Sequence, residues 1–599
     1  MRLDNSARAL IIFSFFYAAI AVFYALYIGD LAAWTDIYVP RASWQEALSY
    51  SYTAWYPNLL GVRTSMHPIE FVNSIFLFFT HSPYLAQIAA LFLPWLISSI
   101  SSYFFFKKLD LFSERTKILF SLFYGFNGFV INQFGATALM FSYAFMPLVI
   151  LYAYLIIAKS ETNFQNIFFF ALFSALGTVM NVQFIFTIPI IIAPIFLSVF
   201  IFGERKNVFK GIIYFILGYL LYLIFILPIS LNLILLFFNF GFEGVTYIKG
   251  EVFKLFLSAD WYSRYFSIAS QPFLSLFMIG IKNQNFLYFI PAYLLLPIFI
   301  FVFFVRRLYF DERGARGRVP LRTAFESKSK QSTFYFKLKE KELFIFAFHS
   351  VLIYSFMIFL VIHFTKLAEW FYNKIFFLKA FEQPLKWSYL IVFPTIILLA
   401  FLAEKLLRKY QSKTITIFLV VILFATPAFY FQTKITEAKN SQSLSEIGGK
   451  HYNFVVFPPY ISEINDYFKE RRPKGNEFRA LWLPQEGLTN MVLSSGSIAD
   501  FVFPAVSKNA MEIEADFVKS FDDPDKFDAK LAVLRKVINI KYIVVLRGIG
   551  QTSAIGINYY EKSPTGFIGT PEKFIQVFNK SSALRALRES PDYLIYEII

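Results

Sequence analysis

The chain has 599 residues, of which 57% are hydrophobic and 21% aromatic, with 80 Phe and a formal net charge of +16. That aromatic density exceeds what a water-soluble core buries and points to a bilayer as solvent, while the absence of Cys excludes thiolate nucleophiles, iron–sulfur clusters, Cys-ligated zinc and disulfides. The positive charge is not a nucleic-acid footprint, because the basic residues fall mostly in short loops between apolar runs, where they act as orientation signals.

The first apolar run, 9–28, has a positively charged start and no small-residue cleavage site. At about 20 residues it is long enough to span and predicts a retained first helix. Further runs near 84–106, 118–132, 137–158, 164–181, 183–202, 211–238, 286–305, 343–363, 387–403 and 414–431 follow. Together they predict a polytopic α-helical membrane protein with about eleven crossings. Lys107, Lys108, Arg115 and Lys117 share one connecting loop, Arg205, Lys206 and Lys210 a second, and Lys405, Arg408, Lys409 and Lys413 a third; 306–342 carries 11 basic against 5 acidic residues. These alternate correctly to lie on the cytoplasmic side, with the N-terminus, of the plasma membrane. The segments 29–83, 133–136, 239–285, 364–386 and 432–599 then face outward. The 364–386 loop departs from the charge rule, with Lys366, Lys374, Lys379 and Lys386 against Glu369 and Glu382. Either the topology differs there or those lysines bind an anion.

The first domain is therefore 1–431, with an outward loop over 29–83. From 432 the composition turns polar, and strand-like stretches at 479–484, 537–546 and 593–599 alternate with helical patterns. This predicts an extracytoplasmic α+β domain over 432–599. Within it, Asn579-Lys580-Ser581 is a glycosylation sequon. The run Asp522, Asp523, Asp525, Asp528 lacks the glycine and final Glu of a calcium loop and reads as a solvated turn.

The 29–83 loop holds the candidate chemistry. Asp30 and Asp36 stand at the membrane edge, followed by Pro40, Trp44, Trp55-Tyr56-Pro57, Gly61, Arg63 and His67. A carboxylate at that depth needs a partner or a task, so Asp36, with Asp30 behind it, is a candidate general base. Capping a helix, or pairing with Arg41 or Arg63, is an equal alternative. His67 has no second ligand at metal spacing and reads as a loop residue. The run 69–80 is too short to span and predicts an interfacial or re-entrant segment. Lys386, at the outer start of a helix, can reach a lipid phosphate or simply snorkel to the interface; Arg264, after Asp260-Trp261-Tyr262, has the same ambiguity.

Taken in order, these pieces resemble the GT-C class of membrane glycosyltransferases, in particular the large mycobacterial arabinofuranosyltransferase type and the related YfhO-like proteins. The pattern is carried by Asp36, Pro40, Trp55-Tyr56-Pro57 and Gly61, and by Phe381-Glu382-Gln383-Pro384-Leu385-Lys386. The segment from Leu531 to Val545 and the closing Tyr593-Leu594-Ile595-Tyr596-Glu597 are similar to the family's outer-domain helix and strands. Where the family has Arg-Glu-Pro, this chain has Glu382-Gln383-Pro384. The resemblance implies that Asp36 deprotonates an acceptor hydroxyl. That hydroxyl displaces polyprenyl phosphate with inversion at the anomeric carbon. Lys386, Arg63, His67 and Arg264 are the implied phosphate-binding groups, and Trp55 and Glu382 the substrate or acceptor groups. The implied partners are membrane lipid, a polyprenyl-phosphate-linked sugar, and a glycan or glycoprotein acceptor. A divalent cation is left open, no metal ligands are assigned, and the lack of a phosphate-binding loop or a complete dinucleotide fingerprint argues against a nucleotide.

Two other classes compete. A transporter or flippase for lipid-linked sugars predicts buried charges in mid-helix, because carriers need a site near the bilayer midplane. The apolar runs here carry instead Asn127, Asn132, Gln133, Asn181, Gln183 and His349. A non-catalytic scaffold for envelope assembly needs no acid at the membrane edge.

Overall fold

The computed structural model describes residues 4–29, 32–33, 44–45, 47–48, 55–56, 62–63, 68–134, 137–158, 163–181, 184–202, 205–227, 343–354, 357, 367, 370, 374, 384–410, 413–440, 455–456, 459–471, 479–483, 498–499, 523–538, 540–547 and 571–599. The expected span at 286–305, parts of those at 211–238 and 343–363, and most of the connecting loops lie outside them. The chain divides into two compact units, one of 1–15, 94–133 and 139–430, the other of 16–93, 134–138 and 431–599.

Five of the described helices are long and apolar enough to cross a membrane: α1 (Asn5–Ile28), α3 (Pro83–Leu109), α6 (Thr137–Ile157), the Leu390–Arg408 part of α11 (Pro384–Tyr410) and the Thr414–Thr433 part of α12 (Lys413–Asn440). Shorter apolar helices accompany them: α2 (Pro68–Thr80), α7 (Phe164–Met180), α8 (Phe184–Phe202), α9 (Arg205–Phe225) and α10 (Leu343–Tyr354). The chain is a multi-pass membrane protein. Phe15, Leu26, Phe200 and Phe429 each stand more than 70% exposed, a display that lipid rather than water accommodates. Gly29, at φ +72°, ends α1 in the left-handed conformation, its N–H bonded to the Ala25 carbonyl at 3.0 Å.

In the first unit the abundant Phe replaces aliphatic packing. Phe393 of α11 meets Phe105 at 4.9 Å and Tyr124 at 5.0 Å between ring centroids, and Phe401 meets Phe112 at 4.8 Å, mostly edge to face. The run 118–132, expected as one helix, is two: α4 (Glu114–Gly125) and α5 (Gly128–Asn132). Asn127 makes the break and repairs it. Its carbonyl oxygen accepts from the Phe129 and Val130 N–H groups, and its amide donates to the Phe123 and Tyr124 carbonyls and to Tyr143 Oη. Close helix approach is set by glycine: a Cβ on Gly211 of α9 would stand 2.7 Å from the Ile157 carbonyl oxygen.

The second unit carries a five-stranded mixed sheet, in the order β6 (Ile498–Ala499), β5 (Arg479–Leu483), β7 (Ile540–Leu546), β9 (Tyr593–Ile598), β8 (Leu584–Glu589). β6, β5 and β7 run parallel, while β9 is antiparallel to both β7 and β8. The stretches expected at 479–484 and 593–599 form β5 and β9. That expected at 537–546 begins as strand only at Ile540, because α14 (Pro524–Ile538) occupies its start. α13 (Pro459–Arg471) and α15 (Pro571–Phe578) complete the layer. Phe527, Leu531, Phe574, Phe578, Ile543, Val545 and Tyr596 form its core. α12 continues to Asn440, nine residues past the end of the apolar run that predicts it.

Candidate active site in the loop after the first helix

Two short strand pairings organise the described part of the 29–83 loop. β1 (Ala32–Ala33) lies antiparallel to β4 (Val455–Val456), so the chain leaving α1 is tied to the segment that follows α12. β2 (Trp55–Tyr56) and β3 (Val62–Arg63) form a small hairpin whose register sets Trp55 opposite Arg63. The backbone register thus pairs two of the positions singled out from sequence, one from the expected substrate group and one from the expected phosphate group.

α2, the 13-residue helix after this hairpin, has two faces. Asn73, Ser74 and Leu77 are buried, and Leu77 packs with Ala47 and Ala86 under Trp44 and Phe76. Phe71, Ile75, Phe78 and Phe79 are exposed, up to 75% at Phe79. A short helix with one aromatic face open and the other packed on protein suits a position in the bilayer interface, as its length implied. Its neighbour α3 carries Tyr84 in its first turn, whose hydroxyl donates to the Ala25 carbonyl of α1 at 2.7 Å. A four-ring cluster of Tyr24, Phe92, Phe134 and Phe431 packs deeper in the same unit.

Lys386 occupies the first turn of α11, where the sequence sets it, two residues after Pro384. Proline suits this position, since its missing N–H is one that helix starts leave unbonded. The C-terminal part of the same helix is held by a buried carboxylate. Glu404 Oε2 accepts from the Ser113 N–H (3.0 Å), Ser113 Oγ (2.7 Å) and Thr116 Oγ1 (2.5 Å), and its Oε1 accepts from Arg408 Nε at 2.7 Å. Arg408 also donates to the Leu111 carbonyl. Nearby, Lys117 pairs with Asp110 at 2.8 Å and with Glu114 at 3.7 Å. Sequence reasoning passed over Glu404, which stands one residue past the expected 387–403 span, beside the basic residues of the following loop.

Asp30, Asp36, His67, Arg264 and Glu382 lie outside the described residues. Among the described residues no group of three or more metal-binding side chains occurs. The acidic run near 525 has structural work. Asp523 accepts from the Lys526 N–H at the start of α14, and Asp528 accepts from Ser581 and from Ser582 at 2.8 Å. Asn579, the sequon asparagine, is exposed and accepts from Tyr596 Oη at 3.0 Å.

No protein-family profile matches the chain, and no curated protein matches it. Among solved structures it is similar to the arabinofuranosyltransferase AftD from Mycobacteria, with a TM-score of 0.48 and 11% identity, over 100% of this chain and 40% of that one. It is similar to the oligosaccharyltransferase AglB from Archaeoglobus fulgidus, in complex with an inhibitory peptide and a dolichol-phosphate, with a TM-score of 0.40 and 14% identity over 89% and 69% of the two chains. A third likeness is to ArnT from Cupriavidus metallidurans, with a TM-score of 0.39 and 8% identity over 99% and 98%. The chain spans about 40% of the length of AftD. Likenesses this distant do not assign chemistry, which rests on the residues of this chain.

Proposed function

We propose that the protein is an inverting membrane glycosyltransferase that moves a sugar from a polyprenyl-phosphate donor to a cell-envelope glycan or glycoprotein on the outer side of the plasma membrane. The observation that carries this reading is the ordered set Asp36, Pro40, Trp55-Tyr56-Pro57, Gly61 and Arg63 directly after the first helix, with Trp55 and Arg63 as hairpin partners. In the proposed reaction the Asp36 carboxylate accepts the proton of an acceptor hydroxyl. The resulting oxygen forms a bond to the anomeric carbon, the bond from that carbon to the phosphate oxygen breaks, and polyprenyl phosphate leaves with the electron pair. Lys386, Arg63, His67 and Arg264 are the proposed partners of the leaving phosphate, through charge-assisted hydrogen bonds. Asp30 is the second candidate base, and Trp55 and Glu382 the proposed sugar or acceptor contacts. The 432–599 domain, by this reading extracytoplasmic, holds the acceptor.

The broken α4–α5 span is the feature that favours transport, since interrupted helices mark carrier sites. Its break is closed by Asn127 on its own backbone and on Tyr143, so the groups a cargo would contact are already bonded. The test is reconstitution of the protein in liposomes with a panel of polyprenyl-phosphate sugars, following release of polyprenyl phosphate. Release that depends on an acceptor and is lost in Asp36→Asn supports transfer. Donor movement across the bilayer without cleavage would instead make the protein a transporter.

A further inference from the structure

α13 lays one face on the sheet, where Tyr460, Glu463, Ile464, Tyr467 and Arg471 recur at three- and four-residue spacing. Charged groups from four elements gather around Tyr467. The Arg471 guanidinium lies 3.8 Å from its ring centroid, and Arg588 of β8 lies 5.6 Å from the same centroid and 5.8 Å from that of Tyr593. Glu463 accepts from Tyr593 Oη at 3.3 Å and stands 3.7 Å from Arg588. Glu597 of β9 pairs with Arg585 and, at 3.6 Å, with Lys541. Arg471, Arg588, Arg585 and Lys541 thus face Glu463 and Glu597, and the patch is cationic.

Two features of this patch have no structural explanation within it. Arg471 is exposed and forms no ion pair among the described residues, its contact being the Tyr467 ring. Tyr467 is only 6% exposed, yet its hydroxyl has no hydrogen-bond partner among the described residues. A buried hydroxyl without a partner is unfavourable unless something else satisfies it. Burial pushes the phenol above its ordinary pKa against the opposing effect of Arg471, so it stays a neutral donor at physiological pH.

We propose that Tyr467, Arg471 and Arg588 form a binding site for a carboxylate or phosphate group carried by the glycan acceptor. Guanidinium forks match the planar geometry of such anions and bind them with two hydrogen bonds each. Both arginines hang over the ring on long flexible stems, so they can shift to close on an anion while the phenol donates a further bond. Arg588 is shared with Glu463, which tempers the affinity, whereas Arg471 has no ion pair among the described residues and rests on the Tyr467 ring. The acceptor's identity as a glycan rests on the proposed glycosyltransferase function; the anion binding does not.

The experiment uses the full-length protein in lipid nanodiscs and isothermal titration with three probes: oligogalacturonate for carboxylate, inorganic tripolyphosphate for phosphate, and a neutral maltooligosaccharide. The site predicts binding of at least one anionic probe that weakens with added salt, and the tighter of the two names the group. Replacing both arginines (Arg471→Gln with Arg588→Gln) should weaken it by about tenfold or more. Tyr467→Phe should weaken it by a smaller factor without lowering the melting temperature, because it removes an unsatisfied hydroxyl. Asp36→Asn should bind as wild type, which separates this site from the transfer reaction. Equal binding of the neutral probe, no binding of either anion, wild-type affinity in the double variant, or a Tyr467→Phe protein that melts lower with binding unchanged would each overturn the proposal.

Discussion

Replacing Glu404 by Ala tests how α11, the helix that carries Lys386 in its first turn, is held in place. The change leaves the Ser113 N–H, Ser113 Oγ and Thr116 Oγ1 without their acceptor and Arg408 without its carboxylate. Each buried donor so orphaned costs about 1–3 kcal/mol. Two considerations reduce the sum. The Ser113 and Thr116 hydroxyls already face each other at 3.1 Å and can bond together. The Arg408 side chain is 56% exposed, so water takes it up at little cost. The net expectation is a loss of about 2–4 kcal/mol, most of it from the Ser113 N–H and one hydroxyl. Glu404→Gln keeps an oxygen for those donors and should lose about 1 kcal/mol. Unfolding of the purified protein in detergent, followed by intrinsic fluorescence against denaturant, ranks the three proteins. An alanine variant as stable as wild type would refute the reasoning, because it would mean that these bonds are not made in the membrane.

Other expectations follow from single contacts. Gly211→Leu should reduce the level of folded protein in membranes sharply, since its side chain would run into the Ile157 backbone, whereas Gly29→Ala, in open space but at φ +72°, should cost only about 1 kcal/mol in the same unfolding assay. Glu597 is held below its ordinary pKa of 4.5: burial alone would raise it, but the Arg585 hydrogen bond and the charges of Arg585 and Lys541 outweigh that. A depressed carboxyl contributes stability above its unfolded value and loses it as pH falls through the folded one, so melting temperature should drop below about pH 4.5, and less so in Glu597→Gln. On the proposed function, Lys386→Ala should raise the KM for the lipid-linked donor, whereas Lys374→Ala should leave it unchanged.

Much of this was legible in the sequence because hydrophobic run length is a strong signal. The runs 84–106, 137–158 and 164–181 appear as α3, α6 and α7 within a few residues. The sheet strands were visible where β-branched and aromatic residues cluster, as in Tyr593-Leu594-Ile595-Tyr596. The break at Asn127 was not foreseen. A Gly-Phe-Asn-Gly stretch inside an apolar run does not announce whether tertiary bonds will support an interruption, and here Tyr143 supplies one. Strand order was likewise hidden, because β5 and β7 are neighbours although about 60 residues separate them in the chain. The Glu404 clamp depends on Ser113 and Thr116, nearly 300 residues away, and no local pattern reveals it. Of the candidate site, the hairpin register joining Trp55 to Arg63 and the helical start at Lys386 are what the fold adds to the residues named from sequence.

The central claim is that Asp36 is the base of an outer-face glycosyltransferase. It is tested most directly in the native host by comparing envelope glycans and lipid-linked sugars in cells with wild-type, deleted or Asp36→Asn protein at matched membrane levels. The account predicts that one sugar linkage disappears, and its lipid-linked donor accumulates, in both mutants alike. Loss in the deletion alone, with normal glycans in Asp36→Asn, would contradict it.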